Sequence, residues 1–167
     1  MTTSTPSAPT LGTLLRHLIE QLDGAVEAAY AGAGLAEYRP RYTPVVRALL
    51  ALGPSSIRAI ALHAGTTHSA ASQTVAQMTA DKLVTSRAPR AGDQREKVVA
   101  LSPKAIAMVP RLERQWTATN RAAAQLDREL SAPLSAIALE ALAALERKPF
   151  AQRIADARRG ADARRAS

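Results

Sequence analysis

A chain of 167 residues of which 47% are hydrophobic is long enough to bury a core, and aromatic residues at only 3% beside recurrent Ala and Leu favour helices over a β-rich sandwich. The absence of cysteine excludes disulfides, thiolate metal sites and a cysteine nucleophile. The formal charge of +8 invites a polyanionic partner, but residues 147–167 carry seven basic and two acidic side chains, so +5 of it lies in the C-terminal segment and only +3 before it. Overall charge is therefore weak support for nucleic-acid binding, because a basic end is commonly just solvated.

Residues 1–10 are rich in Ser, Thr and Pro and read as a disordered N-terminus. They lack the basic and apolar regions of a secretory signal, and no run of about 20 apolar residues follows, so a soluble, cytoplasmic chain without membrane contact is expected. Leu11, Leu14, Leu15, Leu18, Leu22, Val26 and Ala29 fall three or four apart and predict a helix over about 11–31. Gly32 and Gly34 interrupt it, and the stretch from Tyr38 to Tyr42 reads as a loop because Pro40 disfavours helix at Arg39. Thr43 is the expected cap of a second helix, with Pro44 at its first position and Val45, Val46, Leu49 and Leu50 as its apolar face.

Gly53-Pro54 ends that helix, and Ser55-Ser56 leads into a short third one carrying Ile57, Ile60, Ala61 and Leu62. After Gly65, Thr66 and Thr67 can cap a fourth helix in which Ala71, Val75 and Met78 face inward. His68, Ser69, Ser72, Gln73, Ala76 and Gln77 then face out. Segments 84–88 and 97–101 predict two short strands joined by a turn with a basic tip. Ser102-Pro103 opens a long fifth helix, kinked at Pro110, and Ser131 and Pro133 open a sixth, whose end dissolves into an Ala/Arg/Asp-rich tail.

Helix, short helix, tight turn, helix and basic hairpin form the order of a winged helix-turn-helix, which presents one polar helix face to the major groove and a hairpin to the flanking backbone. The candidate DNA contacts are Thr67, His68, Ser69, Ser72, Gln73 and Gln77 on the fourth helix and Arg87, Arg90, Asp93, Arg95 and Lys97 on the hairpin. Short uncharged side chains reach base edges and phosphates at little desolvation cost. In a turn, Asp93 can lock the guanidinium of Arg95 by charge-assisted hydrogen bonds.

The run from Ser56 to Ala61, the segment Ser69 to Val75, and Leu83-Val84 resemble the MarR (multiple antibiotic resistance regulator) family. So does the wing pattern of Arg87, Pro89, Asp93 and Arg95 followed by Val99, Leu101, Ser102, Pro103 and Lys104. The resemblance covers about residues 11–148. It implies a mainly α fold with a small β-hairpin wing: a winged helix-turn-helix over 41–101, a helical dimerisation region over 11–34 and 102–148, and a basic extension over 149–167. It further implies a homodimer that binds a pseudo-palindromic double-stranded DNA site as a transcriptional regulator, typically a repressor released by a small, often phenolic, ligand. Arg16, His17, Tyr38, Tyr42 and Trp116 are the candidates to line such a ligand's cleft. Three departures stand out: Gln73 replaces a common arginine, Lys82 stands where a glycine usually ends the recognition helix, implying a different cap, and Ala105 replaces a glycine.

An enzyme has little to build on. His17, His63 and His68 are the only histidines, and the last two, five apart, fall on different faces of one helix. Gly32, Gly34 and Glu37 imitate half of a dinucleotide fingerprint but follow a helix rather than a strand. No nucleophile elbow or phosphate-cradling lysine loop occurs, and neither a cofactor nor a metal is expected. The second rival is a non-specific architectural DNA-binding protein, for which the basic C-terminal segment is the main argument.

Overall fold

A computed structural model describes residues 8–87 and 97–165, with side chains to residue 161. The chain divides into two compact units, Met1–Thr117 and Ala118–Ser167. In the first, the helical spacing of the leucines gives α1 (Leu11–Gly32), whose N-cap Thr10 accepts a hydrogen bond from the Thr13 amide. Arg39 is extended before Pro40, as proline requires of its predecessor, but Pro40–Tyr42 then forms a 3-10 turn rather than an open loop. That turn moves the expected cap. Helix α2 (Thr43–Leu52) begins at Thr43 itself with Tyr42 at the N-cap, and the Thr43 hydroxyl instead meets the Tyr30 and Tyr38 hydroxyls, each at 3.3 Å.

Gly53 stops α2 with φ 72° and ψ −163°, a conformation open to glycine. Strand β1 (Ser55–Ser56), α3 (Ile57–His63) and α4 (His68–Ala80) follow, then β2 (Val84–Arg87), β3 (Val98–Leu101) and α5 (Pro103–Glu129), which passes through Pro110 without ending. The sheet is antiparallel with order β1-β3-β2, Ser55 facing Val99 and Val84 facing Leu101. Strand β1, two serines long, carries no sequence signal of its own. The core of this unit gathers Leu35, Tyr42, Val45, Val46, Ile60, Met78, Leu83, Val99 and Leu112, all fully buried. Helix α4 turns Ala71, Val75 and Met78 into it, the three positions its spacing predicts.

The second unit holds the end of α5, α6 (Leu134–Arg147) and α7 (Phe150–Arg165). Asp127, rather than Ser131, caps α6: its Oδ1 accepts from the Leu134 amide and its Oδ2 from the Ser135 hydroxyl, both at 2.8 Å. The bond from Ser135 chiefly holds the Asp127 carboxyl below its ordinary range. The expected dissolving tail is instead a helix. Arg153 of α7 donates to the Lys148 carbonyl at 3.1 Å and to the Ala144 carbonyl at 2.9 Å, adding side-chain donors at the end of α6, where carbonyls lack helical partners. Asp156 pairs with Lys148 at 2.5 Å and with Arg159. Two of the segment's basic side chains, Lys148 and Arg159, are thereby ion-paired.

Candidate nucleic-acid interface

Two side-chain caps build the motif. Ser56 accepts from the Ala59 amide at 3.3 Å to start α3, and Thr67 accepts from the Ala70 amide at 3.2 Å to start α4. Between them Gly65, at φ 62°, makes the tight turn that sets one helix across the other. With its apolar face locked in the core, α4 leaves His68, Ser69, Gln73 and Ala76 exposed and Ser72 and Gln77 half-buried. No acid sits in its first turn. The positive end of the helix dipole therefore stays uncompensated beside His68 and Ser69, where backbone amides and a hydroxyl suit a phosphate oxygen.

Arg87 closes β2 opposite Val98, and Lys97 immediately precedes β3. Both are exposed and sit at the same end of the hairpin. Arg90, Asp93 and Arg95 lie outside the described residues. The sequence reading passed over Arg58, an exposed cation on α3, whose signal is that no other Lys or Arg occurs between Ser55 and Thr67.

Helix α4 ends without a glycine, and the expectation of a different cap is overturned. Leu83 N–H bonds Met78 O at 2.8 Å and Lys82 N–H bonds Thr79 O at 3.1 Å, the two bonds of a Schellman motif, with Lys82 itself at φ 59°. Ser102 then stitches this end to the start of α5. Its hydroxyl donates to the Lys82 carbonyl at 2.8 Å and accepts from the Ala105 amide at 3.1 Å, while its own amide bonds Leu83 O at 2.9 Å.

The five residues named for a ligand cleft do not share one environment. Arg16 and His17 are exposed on α1. Tyr38 and Tyr42 are core residues in an edge-to-face ladder with Tyr30, with ring centroids 5.1 and 5.8 Å apart. Burial pushes the Tyr38 hydroxyl above its ordinary pKa, so it stays neutral. Trp116 is half-buried, with Arg47 of α2 stacked 5.5 Å from its ring centroid. Its indole Nε1 is buried and has no hydrogen-bond partner among the described residues. Arg47 was not anticipated, although it interrupts the apolar run from Val45 to Leu50. Among the described residues no group of three or more His, Asp or Glu side chains is placed to hold a metal ion, and no helix is long and apolar enough to cross a membrane.

Helix, turn, exposed polar helix and hairpin on one core make the unit Met1–Thr117 a winged helix-turn-helix. No family model matches the sequence, and no curated protein does. Solved structures match it along most of its length. The PcaV transcriptional regulator of Streptomyces coelicolor, solved with its natural ligand, is 18% identical over 85% of this chain and 98% of its own, with a TM-score of 0.56. A MarR/EmrR family transcriptional regulator from Acinetobacter sp. ADP1 is 17% identical over 82% of this chain and 92% of its own, with a TM-score of 0.54. BpsR of Bordetella bronchiseptica, whose DNA binding is regulated by 6-hydroxynicotinic acid, is 20% identical over 76% and 98%, with a TM-score of 0.50. The chain has the fold of MarR-family transcriptional regulators.

Proposed function

We propose that this chain is a cytoplasmic transcriptional regulator of the MarR type, not an enzyme, and that it binds a pseudo-palindromic double-stranded DNA site as a homodimer. The observation that carries this reading is α4: an apolar side locked in the core and an exposed side of serine, glutamine and histidine with an open positive end. DNA contact falls to Ser69, Ser72 and Gln73, to phosphate-facing His68 and Thr67, and to the hairpin cations. Residues 41–101 act as the DNA-binding domain.

Residues 11–34 and 102–148 act as the dimerisation region. Support comes from apolar side chains at helical spacing left in water: Leu14, Leu15 and Ile19 on α1, and Ile137, Leu139 and Leu142 on α6. A second copy of the chain supplies the matching face. Binding is tested on the chain's own upstream region against a scrambled duplex across salt concentration. Tighter binding of the native sequence at every salt is the expected result. Equal affinities overturn the specific regulator in favour of the architectural protein.

Repression relieved by a small aromatic acid is the finer reading. PcaV was solved with a natural ligand and BpsR responds to 6-hydroxynicotinic acid. Here the stacked Arg47 and the unpartnered Trp116 Nε1 offer a cation and a donor to a carboxylate beside an aromatic face. Trp116 is the single tryptophan, so its fluorescence reports directly on titration with hydroxylated benzoic and nicotinic acids. A saturable change that is lost in Arg47→Ala supports this site; no change with any of these acids overturns it.

A further inference from the structure

The C-terminal end of α4 breaks a local rule of helix chemistry. Its cap residue is Asp81, an acid where the helix dipole favours cations, and no basic residue occupies the last turn. Three donors compensate. The Tyr42 hydroxyl donates to Asp81 Oδ2 at 2.5 Å, across 39 residues of sequence. Gln77 Nε2 donates to Oδ1 at 3.3 Å. Lys104 Nζ donates to the Asp81 carbonyl at 3.3 Å while pairing with Glu37 at 2.6 Å. Each carboxylate oxygen thus holds one donor, one from the core and one from the reading helix itself.

The core donor is immobile. Tyr42 is fully buried and packs edge-to-face on Tyr38. Burial pushes its hydroxyl above the ordinary value, whereas the bond from Tyr42 is the main cause holding the Asp81 carboxyl below its own. A neutral phenol therefore donates to an ionised carboxylate through the physiological range, the stronger, charge-assisted kind of hydrogen bond. Gln77 lies one turn beyond Gln73 on α4 and is half-buried. With Nε2 drawn to Asp81, its amide plane is oriented, and among the described residues no partner takes its Oε1.

We propose that Asp81 and Tyr42 are specificity-determining positioning residues, which hold the Gln77 amide so that its carbonyl oxygen is the group offered to DNA. A glutamine free to rotate presents donor and acceptor alike. One anchored through nitrogen favours a base-edge donor, the exocyclic amino group of adenine or cytosine, over the acceptors of guanine and thymine. The proposal rests on the DNA-binding reading above. It also gives Tyr42 a role different from lining a ligand cleft.

The test uses the full chain and a randomised duplex library, with Asp81→Asn, Tyr42→Phe, Gln77→Ala and the Gln77→Ala/Asp81→Asn double variant. Asparagine can donate to the Gln77 oxygen and turn the amide over. Asp81→Asn is therefore expected to cut the adenine or cytosine preference at one position of each half-site about tenfold and move it towards guanine or thymine. Tyr42→Phe shifts it the same way by about threefold. Removing the Asp81 charge raises affinity for every duplex by one common factor, so the readout is the ratio between bases, and in that ratio the double variant matches Gln77→Ala because one side chain acts through the other. In the free protein, the Gln77 side-chain amide proton signals are expected to be protected from exchange and to lose that protection in Asp81→Asn. Losses that multiply in the double variant, or a uniform loss on every duplex, overturn the proposal and leave Asp81 a fold-holding residue. A wild-type chain that selects no consensus overturns the DNA-binding reading and this proposal with it, whereas a wild-type consensus left unchanged by Asp81→Asn overturns this proposal alone.

Discussion

Leu35, Ile60 and Met78 in the unit Met1–Thr117 are wholly buried, while α6 in the unit Ala118–Ser167 buries no residue and leaves Leu139 and Leu142 exposed by 68% and 60%. Both sets are apolar; only the first is covered within its own unit. The winged unit closes its own core around a three-stranded sheet and α4. The second unit is held instead by polar stitches at helix ends, Asp127 on α6 and Arg153 between α7 and α6. Apolar area gains about 25 cal/mol per Å² when removed from water. On the proposed reading the exposed side chains of α6, like Leu14, Leu15 and Ile19 of α1, are the area a second copy would cover, whereas the sheet and α4 already close a core of their own.

The comparison breaks most directly at α6. Leu139→Glu with Leu142→Glu is expected to convert a dimer into a monomer in light scattering after size exclusion, and to abolish operator binding with it. A wild-type chain that is monomeric at micromolar concentration would mean that the second unit needs no partner. The complementary change sharpens the other side. Ile60→Ala opens a cavity at a fully buried site and is expected to cost about 2–5 kcal/mol in denaturant unfolding. Ser102→Ala ranks next, at about 1–3 kcal/mol, because it strips the α5 cap and leaves the Lys82 carbonyl without its donor in a buried setting.

The same contrast explains what could be read from the sequence. Regular spacing carried the Ala71, Val75 and Met78 side of α4 because burial imposes a 3.6-residue period on the residues themselves, and it carried α1 although Leu11, Leu14, Leu15 and Leu22 lie exposed in this chain. Pairings between distant polar groups leave no such trace. Tyr42 was placed in a ligand cleft, yet its hydroxyl is bonded to Asp81, and no local pattern links two residues 39 apart. Helix α7 was missed for a related reason: Phe150 and Ile154 do not form a stripe, and the helix is fastened by Arg153 and Asp156 rather than by an apolar face. Thr43 was read as a cap because Thr-Pro has that chemistry, but the 3-10 turn ahead of it shifted the helix start by one residue. The exposed side of α4 was legible as polar. How one of its glutamines is held was not.

A smaller effect is expected at the end of α4. Lys82 keeps the Schellman geometry at φ 59°, where a Cβ is unfavourable. Lys82→Gly is expected to raise the stability of the winged unit by about 0.5–1 kcal/mol, read as a shift in denaturant midpoint at constant slope. Loss of stability on that change would mean that the lysine side chain has its own structural role.

The smallest expected effect is a pH dependence in the second unit. Asp127 has its carboxyl lowered from the ordinary 3.8 by the Ser135 hydroxyl and by the Leu134 and Ser135 amides. A carboxyl whose folded value is depressed binds its proton more readily in the unfolded chain, so its contribution is complete above the unfolded value and fades as pH falls through the folded one. The thermal midpoint of the wild type is therefore expected to approach that of Asp127→Asn as pH is lowered from about 6 to about 3, with the gap widest at the neutral end. The group is only half-buried, so the gap should be modest. A gap independent of pH would show that Asp127 acts through shape alone.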